Sequence, residues 1–276
     1  MPLSASRPCV VGFVGNCQAE LLQRAFAAAL PATEFSAFYL FFDPSPAARA
    51  QAVTELARSD IVLLQDIQDT ESGGLSAAIP SATRIVRFPF LRFASPWPYD
   101  DFNGLRDTMA RQQDDPALHT TTYYDGILGR LRRLIPDPEA RFDAYKAQAA
   151  PGIVDPARVH DFERRRLQAL DQRFDMAIGR FILEEFQRTP LFHTVNRPCG
   201  ALLAMVLADV FDRLGLDVAV PDAATLDELG AIQVPVHPGV AERLSIEWAT
   251  KQRLYRHGGT EITWDQFVRG YIRRYG

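Results

Sequence analysis

Short apolar runs that alternate with helical patterns through the first third of the chain restrict it to a layered α/β plan. Residues Cys9 to Val14 form a valine-rich apolar run, the pattern of a strand buried on both faces. Gly15-Asn16 breaks it. Gln18 to Leu30 then carries Leu21, Leu22, Ala25, Phe26 and Ala29 at helical spacing, and Pro31 stops that helix. The cycle repeats with a strand-like stretch at Phe35 to Phe42, an alanine-rich helix at Pro46 to Arg58, and the apolar run Ile61 to Leu64. Thr83 to Phe88 is a further strand candidate. Strands alternating with helices predict a parallel sheet with helices on both faces, an α/β/α arrangement.

The second half reads as mainly helical. Phe88 to Asp101 is too rich in proline for a helix and too aromatic for a free linker, so it is expected as an ordered loop, either tucked into a core or facing substrate. Asp161 to Gln187 sets charges against Leu167, Leu170, Phe174, Ile178, Phe181 and Ile182, the pattern of one amphipathic surface helix or a pair. Its basic run is expected to be a solvated face. Leu191 to Val195 is a short strand candidate leading into a helix from Cys199 to Leu214. Thr263-Trp264-Asp265-Gln266 has the form of a capping box that opens a last helix to Tyr275.

Composition narrows the function. With 47% hydrophobic and 23% charged residues the chain is of ordinary globular type, and 276 residues can bury a substantial core. A net charge of −4 does not favour a nucleic-acid partner. The cations are almost all arginine, with lysine at Lys146 and Lys251 alone, so a phosphate or carboxylate would meet a forked guanidinium. Three cysteines, Cys9, Cys17 and Cys199, make neither a disulfide framework nor a CxxC zinc pair, and no metal is expected. No stretch has the apolar length of a signal peptide or a membrane span, so a cytoplasmic setting is expected.

Three polar clusters fall at expected strand ends, where open α/β sheets bind ligands. The first is Gly15-Asn16-Cys17-Gln18. A residue in the first turn of a helix meets unsatisfied N–H groups and the positive end of the dipole, which favour thiolate over thiol at Cys17. The N–H groups of Cys17 and Gln18 are then candidates to stabilise an oxyanion. The alternative is a small apolar residue packed under the helix. The second cluster is Gln65-Asp66; Gln65 completes an oxyanion hole, binds a substrate hydroxyl or caps backbone, while Asp66 and Asp69 read as solvated loop carboxylates. The third runs from His193 to Arg197. His193 stands where a base would stand or is a satisfied structural histidine, and His237 is a second candidate. His119, His160 and His257 are expected at the surface. No GxGxxG and no GxxxxGK[ST] is present, against a dinucleotide site or a P-loop.

Together Gly15-Asn16-Cys17-Gln18, Leu63-Leu64-Gln65 and Phe192-His193-Thr194-Val195-Asn196-Arg197-Pro198 resemble the WcbI-type polysaccharide-biosynthesis enzymes of bacterial capsule loci. Tyr124-Asp125 opening a helix and Val234-Pro235-Val236-His237-Pro238 extend the likeness over most of the chain. The resemblance implies one domain over 1–276: an α/β half at 1–105 holding the coenzyme site, a helical insertion at 106–190, and a returning strand with C-terminal helices at 191–276. It implies a fold related in plan to the SGNH/GDSL esterases, with cysteine where those carry serine. It further implies coenzyme A or acetyl-CoA as a substrate and a sugar or polysaccharide precursor as acyl acceptor. On that reading Cys17 and His193 are catalytic, and Gly15, Asn16, Gln18, Gln65 and Asn196 serve the oxyanion or substrate. Arg197 and His237 contact the coenzyme.

The family often shows Asn-His-Pro where this chain has Asn196-Arg197-Pro198. A guanidinium stays protonated and cannot act as base. Either His193 or His237 takes that role, or the chain is a weakened enzyme or a binder. Three functions follow: a coenzyme A-dependent O-acyltransferase, a hydrolase of SGNH plan that deacetylates a polysaccharide, and a non-catalytic module that binds coenzyme A or a glycan.

Overall fold

The apolar runs of the first third become four strands of one parallel sheet. The computed structural model describes residues 9–31, 33–39, 46–67, 75, 79–101, 123–147 and 154–275. In chain order the elements are β1 (Val10–Gly15), α1 (Cys17–Ala29), β2 (Glu34–Tyr39), α2 (Pro46–Leu56), β3 (Ile61–Asp66), β4 (Arg84–Pro89), α3 (Gly126–Leu134) and α4 (Pro138–Lys146). There follow α5 (Pro156–Phe174), α6 (Ile178–Glu185), β5 (Phe192–Thr194), β6 (Arg197–Pro198), α7 (Gly200–Leu214), a 3-10 turn (Asp227–Ala231), α8 (Pro238–Arg243), β7 (Tyr255–His257), β8 (Thr260–Ile262) and α9 (Trp264–Tyr275). They form two compact units. One runs to Phe90 and adds Gly200–Leu226; the other holds Leu91–Cys199 and Asp227–Gly276. The first unit includes α7 because that helix packs on its sheet at β4 and against α1.

In the first unit the strand order is β2-β1-β3-β4, all parallel. Side chains alternate between the faces of β1. Phe13 meets Phe26 of α1 edge-on at 5.4 Å, and Phe26 meets Phe211 of α7 at 4.7 Å, so α1 and α7 cover one face. Val14, with Val62 and Leu64 of β3, packs against Ala52 and Leu56 of α2 on the other. A side chain of this size, fully buried, contributes about 1.5–3 kcal/mol. The layered α/β fold with helices on both faces is thus present. Of the expected strand Phe35 to Phe42, residues 40–42 lie outside the described residues.

The second unit is mostly helical. Its loop from Leu91 to Tyr99 is buried, with Leu91, Phe93, Trp97 and Tyr99 all inside, and the Phe93 N–H donates to the Val195 carbonyl. The charged stretch after Asp155 is two helices, α5 and α6. Asp175 takes a left-handed backbone at the end of α5, and the Asp171 carboxylate accepts the Gly179 and Arg180 N–H groups that open α6. Asp125 caps α3 through the Leu128 N–H. The Thr263–Gln266 box is reciprocal: the Thr263 N–H donates to Gln266 Oε1 at 2.8 Å and the Gln266 N–H to Thr263 Oγ1 at 3.3 Å. Among the described residues no helix is long and apolar enough to cross a membrane.

Candidate active site

Strand order reverses between β1 and β3, since the chain leaves β1 for β2 on one side and returns past it to β3 on the other. Ligands of open α/β sheets bind beyond the carboxyl ends of the strands at such a switch point. Cys17 follows the end of β1, and Gln65 is the penultimate residue of β3.

The turn is built from amides. Asn16 is the N-cap of α1, and its Oδ1 accepts the Gln18 N–H at 2.9 Å, which sets Cys17 at the first helical position, half-buried. The Asn16 N–H donates to Gln65 Oε1 at 2.9 Å, and Gln65 Nε2 donates to Gln18 Oε1 at 3.1 Å. All three side chains are buried. They form a neutral brace around the backbone that carries the thiol. Gly15 is part of it, because a Cβ there would lie 2.6 Å from Gln65 Oε1 and 2.6 Å from Ala19 Cβ. The Gln18 N–H is held by Asn16 and is not open to an oxyanion. Gln65 caps backbone from a buried position and does not present its amide to substrate. Asp66 ends β3 partly buried, and Asp69 lies outside the described residues.

The second unit holds a charged centre. His193 lies on β5, 6% exposed, with Nε2 2.8 Å from Asp227 Oδ1 at the start of the 3-10 turn. Asp227 Oδ2 accepts from Arg256 Nη2 at 3.2 Å. Gln233 Oε1 accepts the Arg256 N–H at 3.1 Å, which orients its amide so that Nε2 faces His193 Nδ1 at 3.4 Å. The proton therefore belongs on Nε2, donated to Asp227, and Nδ1 is the acceptor. Burial pulls the pKa of this ring below its ordinary value, Asp227 works against that shift, and the charges of Arg256 and Arg197 add to it. The ring is neutral at pH 7, the form a base requires. Gly230 makes room for the group: a Cβ there would meet His193 Cε1, Asp227 Oδ2 and Arg256 Nη2, each at 2.9 Å.

His193 and Asp227 open on a cavity of about 220 Å³ lined also by Trp97, Cys199, Trp248 and Arg253. Trp97 comes from the aromatic loop, so that loop is both core and cavity wall. Arg197 and Asn196 belong to the tight β5–β6 hairpin, where Thr194 Oγ1 donates to Asn196 Oδ1 at 3.2 Å.

His237 is elsewhere in this unit and serves structure. Its Nδ1 accepts the Gly239 N–H at 3.1 Å as the cap of α8, and its Nε2 donates to the Tyr145 carbonyl at 3.0 Å. Tyr99, Tyr145 and Trp264 enclose the ring edge-on. Both nitrogens are used, so neither the coenzyme contact nor the base role expected of it has an atom to act through. The surface placement expected of His160 and His257 is corrected too. His160 is half-buried against Phe93 and Phe186 and bonds Ser95 Oγ, and His257 packs on Phe267. His119 lies outside the described residues.

The structure thus gathers Gly15, Asn16, Cys17, Gln18 and Gln65 at one centre in the first unit. His193, Asn196 and Arg197 fall on one hairpin in the second. Asp227, Gly230, Gln233, Arg253 and Arg256 were not found from sequence. Asp227 sits 34 residues from His193 in an ordinary polar stretch, and nothing local marks it.

A family described as polysaccharide biosynthesis enzyme WcbI has a model that matches residues 9–219. A solved structure of WcbI, described as a novel polysaccharide biosynthesis enzyme, superposes with a TM-score of 0.66 over 97% of this chain and 91% of that one, at 14% identity. It is specified as the native protein without a disulfide bond between coenzyme A and one of its cysteines. At that identity the likeness speaks for the fold. No curated protein matches the chain.

Proposed function

Because the chain belongs to the WcbI family of polysaccharide biosynthesis enzymes, we propose that it transfers an acyl group, acetyl in the simplest case, from coenzyme A to a sugar hydroxyl, with Cys17 as the acyl carrier. The observation that carries this reading is the thiol at the first position of α1, held at the switch point by the Asn16–Gln65–Gln18 brace. The WcbI structure of the same fold, named by a coenzyme A–cysteine disulfide that it lacks, supports the choice of coenzyme and of a cysteine beside it.

On this reading the Cys17 thiolate attacks the thioester carbonyl. A new C–S bond forms, the bond to coenzyme A breaks, and the coenzyme leaves as thiolate to take up a proton. A sugar hydroxyl then attacks the acyl-cysteine, gives its proton to a base, and the Cys17 thiolate departs. We assign a base role to His193 through Nδ1, whose long 3.4 Å contact with Gln233 Nε2 an incoming hydroxyl would displace, with Asp227 as the positioning residue that fixes its tautomer. Arg197 is assigned to a phosphate of the coenzyme. We place the activity in the capsular or exopolysaccharide pathway of a bacterial cytoplasm.

A second reading moves the acyl group to Cys199, favoured by one observation: this thiol lines the same cavity as His193. Incubation with acetyl-CoA followed by peptide mass spectrometry separates the two. The expected result is an acetyl thioester on Cys17, located by fragmentation and discharged by added sugar acceptors. Acetylation of Cys199 would select the second reading. Release of acetate at a rate indifferent to acceptor would identify a hydrolase. No labelling of either thiol, together with tight coenzyme binding, would identify a binder.

A further inference from the structure

We propose that the cavity of the second unit is a binding site for a sugar unit bearing an anionic group, a carboxylate or a phosphate, anchored by Arg253. The inference deepens the function proposed above by giving the acceptor its chemical class, and it rests on that reading only for the name acceptor. Its grounds are in the cavity itself.

The first is a cation in need of an anion. Arg253 lies over the faces of Trp248 and Tyr255, 4.8 and 5.2 Å from the ring centroids, and its Nη1 reaches the Trp248 carbonyl at 3.5 Å. Its Nε–H is buried with no acceptor, and among the described residues it makes no ion pair. A buried donor left unmade is costly and calls for an explanation. Arg256, its neighbour in the lining, is in a different position, since Asp227 already neutralises it. A guanidinium held over two rings, with an Nε–H that lacks an acceptor, suits a carboxylate or phosphoryl group, which accepts from the fork through two oxygens.

The second ground is the wall. Trp97 Nε1 donates to the Val234 carbonyl and Trp248 Nε1 to the Phe186 carbonyl, both within 2.9 Å. With their N–H groups bonded to backbone, the indoles offer the cavity ring surface, which packs on the C–H face of a sugar. The third is size. At about 220 Å³ the space takes one sugar ring and falls below the roughly 300–1,000 Å³ typical of cofactor pockets. A ring hydroxyl inserted into the long 3.4 Å contact between Gln233 Nε2 and His193 Nδ1 would accept from the first and donate to the second.

Calorimetric titration of the whole protein with glucuronate, glucose 1-phosphate and glucose tests the site, with tryptophan fluorescence as a second readout. The expected result is saturable binding of glucuronate or of glucose 1-phosphate, and the better of the two identifies the anion. Glucose binds at least about tenfold more weakly. Arg253→Gln weakens the anionic sugar by about tenfold or more, and Arg253→Lys, which keeps charge but not the fork, falls between. Both variants are checked for wild-type circular dichroism, and retention of affinity in a folded Arg253→Gln would overturn the proposal. So would absence of binding by both anionic sugars, equal binding of glucose, or one-for-one displacement of the sugar by coenzyme A. Coenzyme A is titrated separately into the wild-type protein. Coenzyme binding without sugar binding sinks this inference and leaves the function above standing; sugar binding through Arg253 without coenzyme binding does the reverse.

Discussion

The Cys17 turn and the His193 cavity are held together by opposite means. The first uses the neutral amides of Asn16, Gln18 and Gln65, all buried and bonded to one another. The second uses a neutral histidine of β5 with charges from the 3-10 turn and β7, around a cavity that one guanidinium faces without an ion pair among the described residues. A closed amide brace has little left to offer a ligand, and its contribution is rigidity. A half-satisfied charged network has interactions in reserve. The contrast suits the roles proposed above, a carrier thiol whose backbone must stay fixed and a pocket that fills and empties.

The sharpest way to break this division of labour is to remove the thiols one at a time. Cys17→Ala is expected to lower acyl transfer from acetyl-CoA by about 10³-fold or more, since a nucleophile has no substitute. Cys199→Ala is expected to lose less than about tenfold through cavity shape. The reverse ranking would place carrier and base in the same unit. Asp227→Asn comes next, with kcat down about 10²-fold. Asp227 holds the His193 pKa up against the depression caused by burial, so its loss lowers that pKa further. The acid limb of the pH–rate profile should then move to lower pH. A merely structural Asp227 would reduce the rate and leave the limb in place.

The two regions also differ in how far sequence reveals them. The Cys17 turn was legible because its parts are adjacent: a strand ending at Gly15, a break at Asn16 and a helix from Cys17 leave few other conformations. Its outer member was only half legible. Gln65 could be located at a strand end, but its bond to the Asn16 N–H depends on β1 pairing with β3, a non-local choice. The return of α7 to the sheet escaped for the same reason. His193 was visible as a strand-end histidine, whereas Asp227 gains meaning only from its contact with His193, 34 residues away. His237 misled because its proline-flanked motif looks functional, while both nitrogens are consumed by a cap and a carbonyl.

Gly15→Ala sharpens the amide side. The added methyl would drive Gln65 Oε1 off the Asn16 N–H, so overpacking and a buried orphan donor combine to cost about 2–4 kcal/mol, read by urea unfolding. Gln65→Leu removes the brace without the clash and is expected to cost about 1–3 kcal/mol. In both, transfer should fall along with stability, because Cys17 loses its fixed backbone. A Gln65→Leu protein of wild-type activity would show that the brace serves the fold alone.

The smallest effect tests the contrast most directly, through pH. His193 has a folded pKa below the 6.5 of the unfolded chain, so as pH falls through 6.5 the unfolded state takes up the proton first. Stability from the neutral ring is whole above that value and declines toward the folded pKa, by at most about 1.4 kcal/mol per pH unit for each such histidine. His237 shifts the same way, again chiefly by burial. Asp125 acts in the opposite sense, since burial raises its pKa, and a bare pH profile would mix the two. The variants separate them, because each one keeps Asp125. Unfolding midpoints followed from about pH 7.5 down to 5 should show the deficit of His193→Gln shrinking with acid. The deficit of Gln65→Leu should hold constant, because no proton binds to an amide brace. A Gln65→Leu deficit that tracks pH would mean the thiol turn is coupled to a titrating group, and the division drawn between the two centres would fail.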